Sequence, residues 1–379
     1  MIQTYLENSN IISPLGWNTR QNLQSVLSGR EGIRICNDRS LSPVDLPIAR
    51  LDWDELERRF HEMIARDAKE QFTRFEKMGI LSIKDTITDS EVDPADPETA
   101  LILATTKGNV ELLDHPAGFE KERLHLWKSA EVIARFFGIK TRPVVVSNAC
   151  VSGVSAMLVG RQMISSGRCK HALVLGADTV SKFILSGFQS FKSLSNEPCK
   201  PFDHQRNGLT LGEGAASVVI SGMHGQVELV SGSTSNDANH ISGPSRNGDG
   251  LLLAIMNTIK GQGLPGIISA HGTATLYNDE MESIAITRAG LAGVAVNSLK
   301  GYFGHTLGAA GILESIVNIE AMKLGLFPAT KGYSTLGVSG EINVSNQSGV
   351  IEAGSMLKIA SGFGGCNAAA LFTLRSWRS

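Results

Sequence analysis

Short apolar segments recur through most of the chain, and segments of helix length separate many of them. The first series comprises Ala100–Thr105, Pro143–Ser147, Ala172–Ala177 and Ala215–Ser221. The second series comprises Val227–Gly232, Gly266–His271, Gly293–Ser298, Met356–Ser361 and Ala369–Leu374. Because a strand–helix–strand rhythm is typical of a buried parallel sheet covered by helices, we predict an α/β protein with a mostly parallel sheet.

The rhythm runs twice. In each series a strand leads into a glycine-containing loop and then into a helix rich in small residues, predicted over Val151–Ser165 and Ala309–Leu324. We therefore predict a pseudo-duplicated, layered fold with an N-terminal half at residues 1–222 and a C-terminal half at 223–379.

The stretch before the first series differs in composition. Residues 2–6 are predicted as a strand, and a turn at Ser13–Gly16 precedes a helix predicted over Thr19–Leu27. From about 34 to 98 the sequence is more charged and proline-punctuated, with an amphipathic helical pattern from Trp53 to Ile87. We predict that residues 34–98 form a cap inserted into the N-terminal half.

The overall composition excludes several classes of function. Hydrophobic residues make up 42% and charged residues 19%, and the net charge is −2, so neither nucleic acid nor an anionic membrane is expected as a partner. Since no signal-like start and no run of about 18 apolar residues is present, we expect a cytoplasmic protein. The five cysteines never form a CxxC pair, which favours neither a disulfide framework nor a metal site.

Cys150 lies where an apolar strand is predicted to end and a helix to begin, in Asn148–Gly153 (NACVSG). A helix N-terminus stabilises a thiolate through its backbone N–H groups and its dipole, so this setting predicts a reactive thiol. A buried structural cysteine is the alternative, and it is our interpretation of Cys36, Cys169 and Cys199.

In three later segments, a predicted strand is also followed by a polar or glycine-rich loop. The first contains His271 at the carboxyl end of a strand, the edge where open α/β sheets place ligand-binding groups. The second, Asn297–Gly311, contains His305 and Lys300, and Glu314 follows it. The third is Ser361–Asn367 (SGFGGCN). No GxGxxG or GxxxxGK[ST] pattern is present, so a nucleotide site is not expected.

Together, and in this order, the four segments resemble the β-ketoacyl-acyl carrier protein synthases of the ketosynthase I/II type, in the thiolase superfamily. Asn148–Gly153 resembles the family's active-site cysteine turn. The family's HGTxTxxxD, KxxxGHTxGAAG and GFGGxN patterns are matched from His271 to Asp279, over Lys300–Gly311 and over Gly362–Asn367. The resemblance implies a thiolase-like, five-layer α-β-α-β-α fold.

The resemblance also implies a reaction, the decarboxylative condensation of an acyl group on Cys150 with malonyl-acyl carrier protein. His271 and His305 would bind the malonyl thioester carbonyl, and the N–H groups of Cys150 and Phe363 would hold the oxyanion. The remaining implied site residues are Lys300 as a catalytic residue, Phe363 also as a gate, Thr273 and Thr275 along the pantetheine tunnel, and Asp279, Glu282 and Glu314 as a supporting network.

No cofactor is implied beyond the phosphopantetheine of acyl carrier protein, which is the expected partner. The resemblance further implies a homodimer or a heterodimer with a related ketosynthase-like subunit, with Ala172–Ala177 suited to the contact. An acidic carrier protein calls for a basic patch, for which the candidates are Arg66, Lys69, Arg74 and Arg206.

Two alternatives stay open at this point. One is a non-decarboxylating thiolase, because Cys366 resembles the second cysteine of thiolases. The other is a chain-length-factor-like subunit, although such subunits lack the catalytic cysteine. The pathway, whether fatty-acid, polyketide or polyene biosynthesis, and the acyl chain length are also open.

Overall fold

The computed structural model describes residues 2–64, 70–88, 90–116, 118–223, 225–237 and 245–375. The strands are β1 Tyr5–Ile12, β2 Ile33–Cys36, β3 Leu46–Ala49, β4 Thr99–Ala104, β5 Val144–Val146, β6 His171–Asp178, β7 Leu211–Gly212, β8 Gly214–Ser221, β9 Val227–Asn236, β10 Ile267–Ser269, β11 Ala295–Asn297, β12 Leu326–Phe327, β13 Asn343–Val344, β14 Gly349–Val350, β15 Ser355–Gly362 and β16 Cys366–Leu374. The α-helices are α1 Thr19–Leu27, α2 Trp53–Met63, α3 Arg74–Thr88, α4 Leu126–Phe136, α5 Ser152–Ser165, α6 Lys182–Ser190, α7 Asp249–Ile259, α8 Leu276–Arg288, α9 Lys300–Phe303 and α10 Ala310–Lys323. Short 3-10 helices cover Val110–Leu113, Lys121–Leu124 and Leu307–Ala309.

One large sheet joins both halves of the chain. Its strand order is β13-β11-β10-β15-β16-β9-β1-β8-β6-β4-β5, and the halves meet where Tyr5 and Leu6 of β1 pair with Glu228 and Val227 of β9. The prediction of a mostly parallel sheet is wrong, because five of its ten strand pairs are antiparallel. A three-residue loop joins β15 to β16, and such a loop is too short for the crossover that parallel strands require.

The side chains of the strands alternate between two helical layers, which confirms the predicted layered fold. In β4, Ala100, Ile102 and Ala104 pack in the cluster that contains α5 and α10 side chains, whereas Leu101 and Leu103 pack against the outer helices α3 and α4. The C-terminal strands repeat this arrangement with α7 and α8 on their outer side. Because α5 and α10 contact strands of both halves, they lie between the two halves of the large sheet. The order of the layers is therefore helix, N-terminal half of the sheet, central helices, C-terminal half of the sheet, helix.

The N-terminal elements agree only partly with the predictions. The α1 helix has the predicted bounds, but the first strand runs to Ile12 rather than ending near residue 6. The polar residues Glu7–Asn10 in its middle kept the sequence pattern from indicating a strand. Pairing with β8 and burial in the folded protein stabilise this strand. The predicted helical pattern from Trp53 to Ile87 contains two helices, α2 and α3, and residues 65–69 between them lie outside the described residues.

Two further expectations concern domains and assembly. The predicted division at residue 222 and the cap at 34–98 stay predictions, although α3 packs directly on the sheet through Phe75 and Met78. The expected subunit contact through Ala172–Ala177 is wrong. That segment belongs to β6, whose two edges are already bonded to β4 and β8. The strand at the sheet edge on this side is β5.

In the part of the chain that the structure describes, no helix combines the length and the apolar character needed to span a bilayer.

Candidate active site

Cys150 occupies a tight turn between β5 and α5. The preceding residue, Ala149, has φ 45°, a left-handed conformation that is uncommon for a residue with a Cβ atom. Gly362 packs against this turn, where a Cβ atom would lie 3.0 Å from the Cys150 nitrogen. The turn is therefore held between its own strained backbone and the end of β15, and it directs the thiol into the interior.

The Cys150 side chain is buried, and this decides its protonation state. Burial raises the pKa of the Cys150 thiol to about 12, although the nearby Lys300 charge acts in the opposite direction. The helix N-terminus alone predicted a thiolate, but the cost of placing a charge away from water is larger. At neutral pH the Cys150 side chain is consequently a neutral thiol.

His305 lies next to this thiol, with its Nε2 atom 3.0 Å from Cys150 Sγ. The backbone N–H of Leu307 donates to His305 Nδ1 over 3.3 Å, so Nδ1 accepts and the proton of a neutral ring resides on Nε2. Gly304 makes this loop possible: at φ 65°, a Cβ atom would lie 2.6 Å from the Leu211 carbonyl oxygen. The loop thus presents Nε2–H to the Cys150 thiol.

His271 completes a compact group of three side chains. Its ring meets the His305 ring edge to face, with centroids 5.1 Å apart, and the ligand atoms of Cys150, His271 and His305 lie within 4.8 Å of one another. Burial, reinforced by the charge of Lys300, holds the pKa of both imidazoles well below the ordinary value. Both rings are therefore neutral near pH 7, a state in which each carries one N–H donor.

Lys300 is buried behind the histidines. Its Nζ atom donates to the His271 carbonyl oxygen over 2.6 Å and pairs with Glu314 Oε1 at 2.7 Å. The second oxygen of Glu314 pairs with Lys358, a residue that the sequence reasoning missed. Burial would raise the pKa of Glu314, but the two lysines outweigh it and the pKa of Glu314 lies below the ordinary value.

Two buried acids hold the loop that follows His271. Glu282 accepts the N–H groups of His271 and Gly272 over 2.5 and 2.7 Å, and Asp279 accepts those of Thr273 and Ala274. Burial raises the pKa of Glu282 to about 7. The hydroxyl oxygens of Thr273 and Thr275 lie 2.9 Å apart. The supporting positions predicted for Asp279 and Glu282 thus coincide with a hydrogen-bonded scaffold for this loop.

Phe363 lies in the loop between β15 and β16, beside the cysteine turn. Among the described residues, neither its backbone N–H nor that of Cys150 has a hydrogen-bond acceptor, as an oxyanion site requires. The Phe363 ring contacts Phe188 and Phe191, with centroids 5.6 and 5.2 Å away. Sequence reasoning missed both of these aromatic partners, because they lie far from Phe363 in the sequence. Phe188 lies in α6, and Phe191 directly follows α6.

The comparison with protein families agrees with this geometry. Residues 9–224 match the model of the β-ketoacyl synthase N-terminal domain, and residues 227–334 match that of its C-terminal domain. The chain belongs to the β-ketoacyl synthase family.

Relatives within the family include 3-oxoacyl-[acyl-carrier-protein] synthases and polyketide synthases. The chain is 29% identical over 294 residues to a putative mitochondrial 3-oxoacyl-[acyl-carrier-protein] synthase of Schizosaccharomyces pombe, which covers 69% of this chain and 65% of the relative. It is 29% identical over 267 residues to a putative polyketide β-ketoacyl synthase of Streptomyces halstedii, covering 64% of this chain and 63% of the relative. The aligned parts thus span slightly less than two thirds of these two relatives.

Longer matches also occur. The chain is 27% identical over 344 residues to the tetracenomycin polyketide synthase ketoacyl synthase alpha subunit of Streptomyces glaucescens, covering 79% of this chain and 81% of the relative. Among solved structures, a ketosynthase in complex with its chain length factor from Xenorhabdus doucetiae is 25% identical, with a TM-score of 0.83 and 98% of each chain covered.

Asp178 is a further buried acid that sequence reasoning missed. Its carboxylate accepts the N–H groups of Thr106 and Gly308 over 2.9 and 2.7 Å, so it ties the loop after His305 to the end of β4. Burial raises the pKa of Asp178, and these N–H groups oppose that rise. One feature of the sequence could have indicated Asp178. It is an acidic residue directly after the apolar run Ala172–Ala177, at the carboxyl end of a predicted strand, where functional side chains are expected.

The structure removes one candidate, Arg206, from the predicted basic patch, whereas Arg74 is exposed. Arg206 is buried, and its guanidinium donates to the carbonyl oxygens of Asp203 and Gly337. The Arg74 guanidinium lies over the Trp53 ring at 5.0 Å, whereas Arg66 and Lys69 lie outside the described residues.

Cys150, His271 and His305 are also residue types that bind zinc, and their ligand atoms are close enough to share an ion. The expectation of a metal-free site stays a prediction.

Proposed function

We propose that this chain catalyses decarboxylative Claisen condensation of an acyl group on Cys150 with malonyl-acyl carrier protein, to give β-ketoacyl-acyl carrier protein. The observation that carries the proposal is the convergence of Cys150, His271 and His305 within 4.8 Å, with Lys300 bonded to the His271 carbonyl. Membership of the β-ketoacyl synthase family supports the same reaction class, an acyltransferase.

The first half-reaction transfers the acyl group. Cys150 Sγ forms a bond to the thioester carbon, the bond from that carbon to the pantetheine sulfur breaks, and the thiol proton leaves with the pantetheine sulfur. The carbonyl oxygen becomes negative in the tetrahedral intermediate. The N–H groups of Cys150 and Phe363, which have no acceptor among the described residues, would stabilise it.

The second half-reaction forms the carbon–carbon bond. The malonyl carboxylate leaves as carbon dioxide, its bonding electrons form an enolate, and neutral His271 and His305 donate N–H groups to the enolate oxygen. The enolate carbon attacks the acyl carbon, the carbon–sulfur bond to Cys150 breaks, and the released thiolate takes up one proton. A Cys150 pKa of about 12 favours that protonation.

The remaining parts of the proposal concern partners and location. Acyl carrier protein delivers both substrates on its phosphopantetheine, and no other cofactor is needed. The second subunit is either an identical chain or a ketosynthase-like relative. One solved ketosynthase that resembles this chain is in complex with its chain length factor. A cytoplasmic location accords with five unpaired cysteines, which are typical of reducing compartments.

The test uses the purified chain with acyl-acyl carrier protein and with malonyl-acyl carrier protein labelled with ¹³C in the free carboxylate. We expect labelled carbon dioxide, an unlabelled β-ketoacyl product and a covalent acyl-enzyme in the intact mass spectrum. Cys150→Ala should abolish the acyl-enzyme and the product. Cys36→Ala is the matched control, because Cys36 lies outside the three-residue group, and it should retain both.

Two outcomes would favour the alternatives. Condensation with acetyl-coenzyme A without release of carbon dioxide would identify a thiolase reaction and reject the proposal. A product yield that depends on a co-purified ketosynthase and persists in Cys150→Ala would identify a chain-length-factor-like subunit and also reject it.

A further inference from the structure

A second lysine is buried beside the proposed catalytic group, and nothing in the preceding mechanism uses it. Lys358 lies in the middle of β15, and its side chain is fully buried. Its neighbours Leu357 and Ile359 pack on the outer side of the sheet, whereas Met356 and Ala360 pack in the central layer. The alternation of side chains along a strand therefore directs Lys358 into the central layer, where α10 lies.

The ammonium group of Lys358 has three partners. It pairs with Glu314 of α10, and it lies 3.3 Å from the Ser269 hydroxyl of β10 and 3.2 Å from the Ala270 carbonyl oxygen. A lysine is rarely buried without such partners, because desolvation of its charge is costly. Burial accordingly lowers the pKa of Lys358, and Glu314 acts against that change.

These contacts converge on the peptide that carries His271. Lys358 binds the carbonyl of Ala270, and Lys300 binds the next carbonyl, that of His271. Glu314 lies between the two lysines and bonds to both. The backbone on either side of the His271 Cα atom is thus fixed by two cations that share one carboxylate. Within the described part of the chain, the side-chain hydrogen bonds of Lys358 do not include the Cys150 turn or the Phe363 loop.

We propose that Lys358 is a positioning residue for decarboxylation, which holds the Ala270–His271 peptide and Glu314 so that the His271 imidazole meets the developing enolate. The inference rests on the proposed function, since it assigns Lys358 to the half-reaction that uses His271. It separates Lys358 from acyl transfer to Cys150, which depends on the cysteine turn. Misplacement of a catalytic group by about 1 Å costs roughly a hundredfold in rate, so the effect is measurable.

The test measures the two half-reactions separately in the wild-type chain and in Lys358→Met. The methionine keeps the length of the side chain without its charge, and it leaves Glu314 paired with Lys300, so no carboxylate is left unpaired. Active sites are counted by iodoacetamide labelling of Cys150. We expect acyl transfer within about twofold of wild type, and kcat for carbon dioxide release lower by roughly tenfold to a hundredfold, with KM for malonyl-acyl carrier protein nearly unchanged.

Lys170→Met is the matched control, because the Lys170 side chain forms an exposed ion pair with Glu98. It should leave both half-reactions unchanged. Lys358→Arg retains the charge and the donors and should recover part of the lost decarboxylation. If Lys358→Met does not accumulate as folded protein, Lys358→Gln replaces it, and its smaller loss should again be confined to decarboxylation.

The inference is overturned if the methionine or glutamine variant matches wild type in both half-reactions, or loses both by the same factor after correction for active sites. A wild-type chain that releases no carbon dioxide from malonyl-acyl carrier protein would instead reject the proposed function, so the two failures are distinguishable.

Discussion

Gly153 of α5 and Gly311 of α10 lie in direct backbone contact across the central layer. A Cβ atom on Gly153 would be 3.2 Å from the Gly311 Cα atom, and one on Gly311 would be 3.1 Å from the Gly153 carbonyl carbon. The α5 and α10 helices are the two helices rich in small residues that the sequence predicted, one in each series of apolar segments. Their close approach brings the loop that carries Cys150 to the loop that carries His305, and so assembles the site.

This contact predicts that Gly153→Ala destabilises the fold. The new methyl group would lie 2.8 Å from the Gly308 carbonyl oxygen and 3.0 Å from the Ile312 nitrogen, both backbone atoms that cannot rotate away. Overpacking of this kind costs about 1–3 kcal/mol, which thermal unfolding would detect as a lower Tm. Gly293→Ala, where no atom lies within 4 Å of the added Cβ, should leave the Tm nearly unchanged. Equal Tm values for the two variants would contradict the prediction.

The buried thiol predicts a steep pH dependence of Cys150 alkylation. The thiolate is the reactive form, and with a pKa of about 12 its fraction should rise about tenfold for each pH unit between pH 7 and 10. The measurement is the rate of iodoacetamide labelling at Cys150 by peptide mass spectrometry, with Cys150→Ala reporting the labelling of other cysteines. A rate that levels off at or below pH 8 would show that the thiolate is the resting form.

Glu314 is predicted to be essential for stability. Glu314→Gln leaves the buried charges of Lys300 and Lys358 without their shared carboxylate. Loss of one partner from a buried ion pair costs about 3–5 kcal/mol, so we expect a large fall in the urea midpoint. Glu98→Gln breaks an exposed ion pair with Lys170 and should cost at most about 1 kcal/mol. A Glu314→Gln midpoint as close to wild type as that of Glu98→Gln would be inconsistent with this role.

Glu213 is predicted to make stability depend on pH. Its carboxyl group accepts the N–H groups of Leu51 and Val180, and burial raises its pKa from 4.5 to about 8. Between these pH values the unfolded state has lost the proton that the folded state keeps, so this group lowers the free energy of unfolding as pH rises. The contribution levels off above the folded-state pKa.

Glu213→Gln cannot ionise, so it lacks this contribution. The variant loses one acceptor and should be less stable than wild type at pH 5, and the difference should shrink or reverse by pH 8.5. Urea unfolding at both pH values is the measurement. A constant difference would show that Glu213 is ionised in the folded state.

The local motifs made much of the site predictable from sequence. Cys150, His271, Lys300 and His305 each lie in a short segment whose spacing identified it, and the structure brings these residues together. The α1 helix has the predicted bounds because the residues that end it, the capping Asn18 and the terminal Gly29, lie next to the helix in the sequence. Signals of this kind depend on neighbours along the chain, which a sequence displays directly.

The roles of Lys358, Asp178 and Arg206 depended on partners far away in sequence. Lys358 pairs with a residue 44 positions away, and Asp178 bonds to one 130 positions away. The burial of Arg206 and the internal position of Ala172–Ala177 likewise follow from which strands and loops become neighbours. The sequence by itself determined the layered α/β class and the residues of the candidate site, because periodicity and motif spacing are local. Only the tertiary structure decided the strand directions, the protonation state of Cys150 and the second buried lysine, because desolvation and charge pairing arise when distant segments pack together.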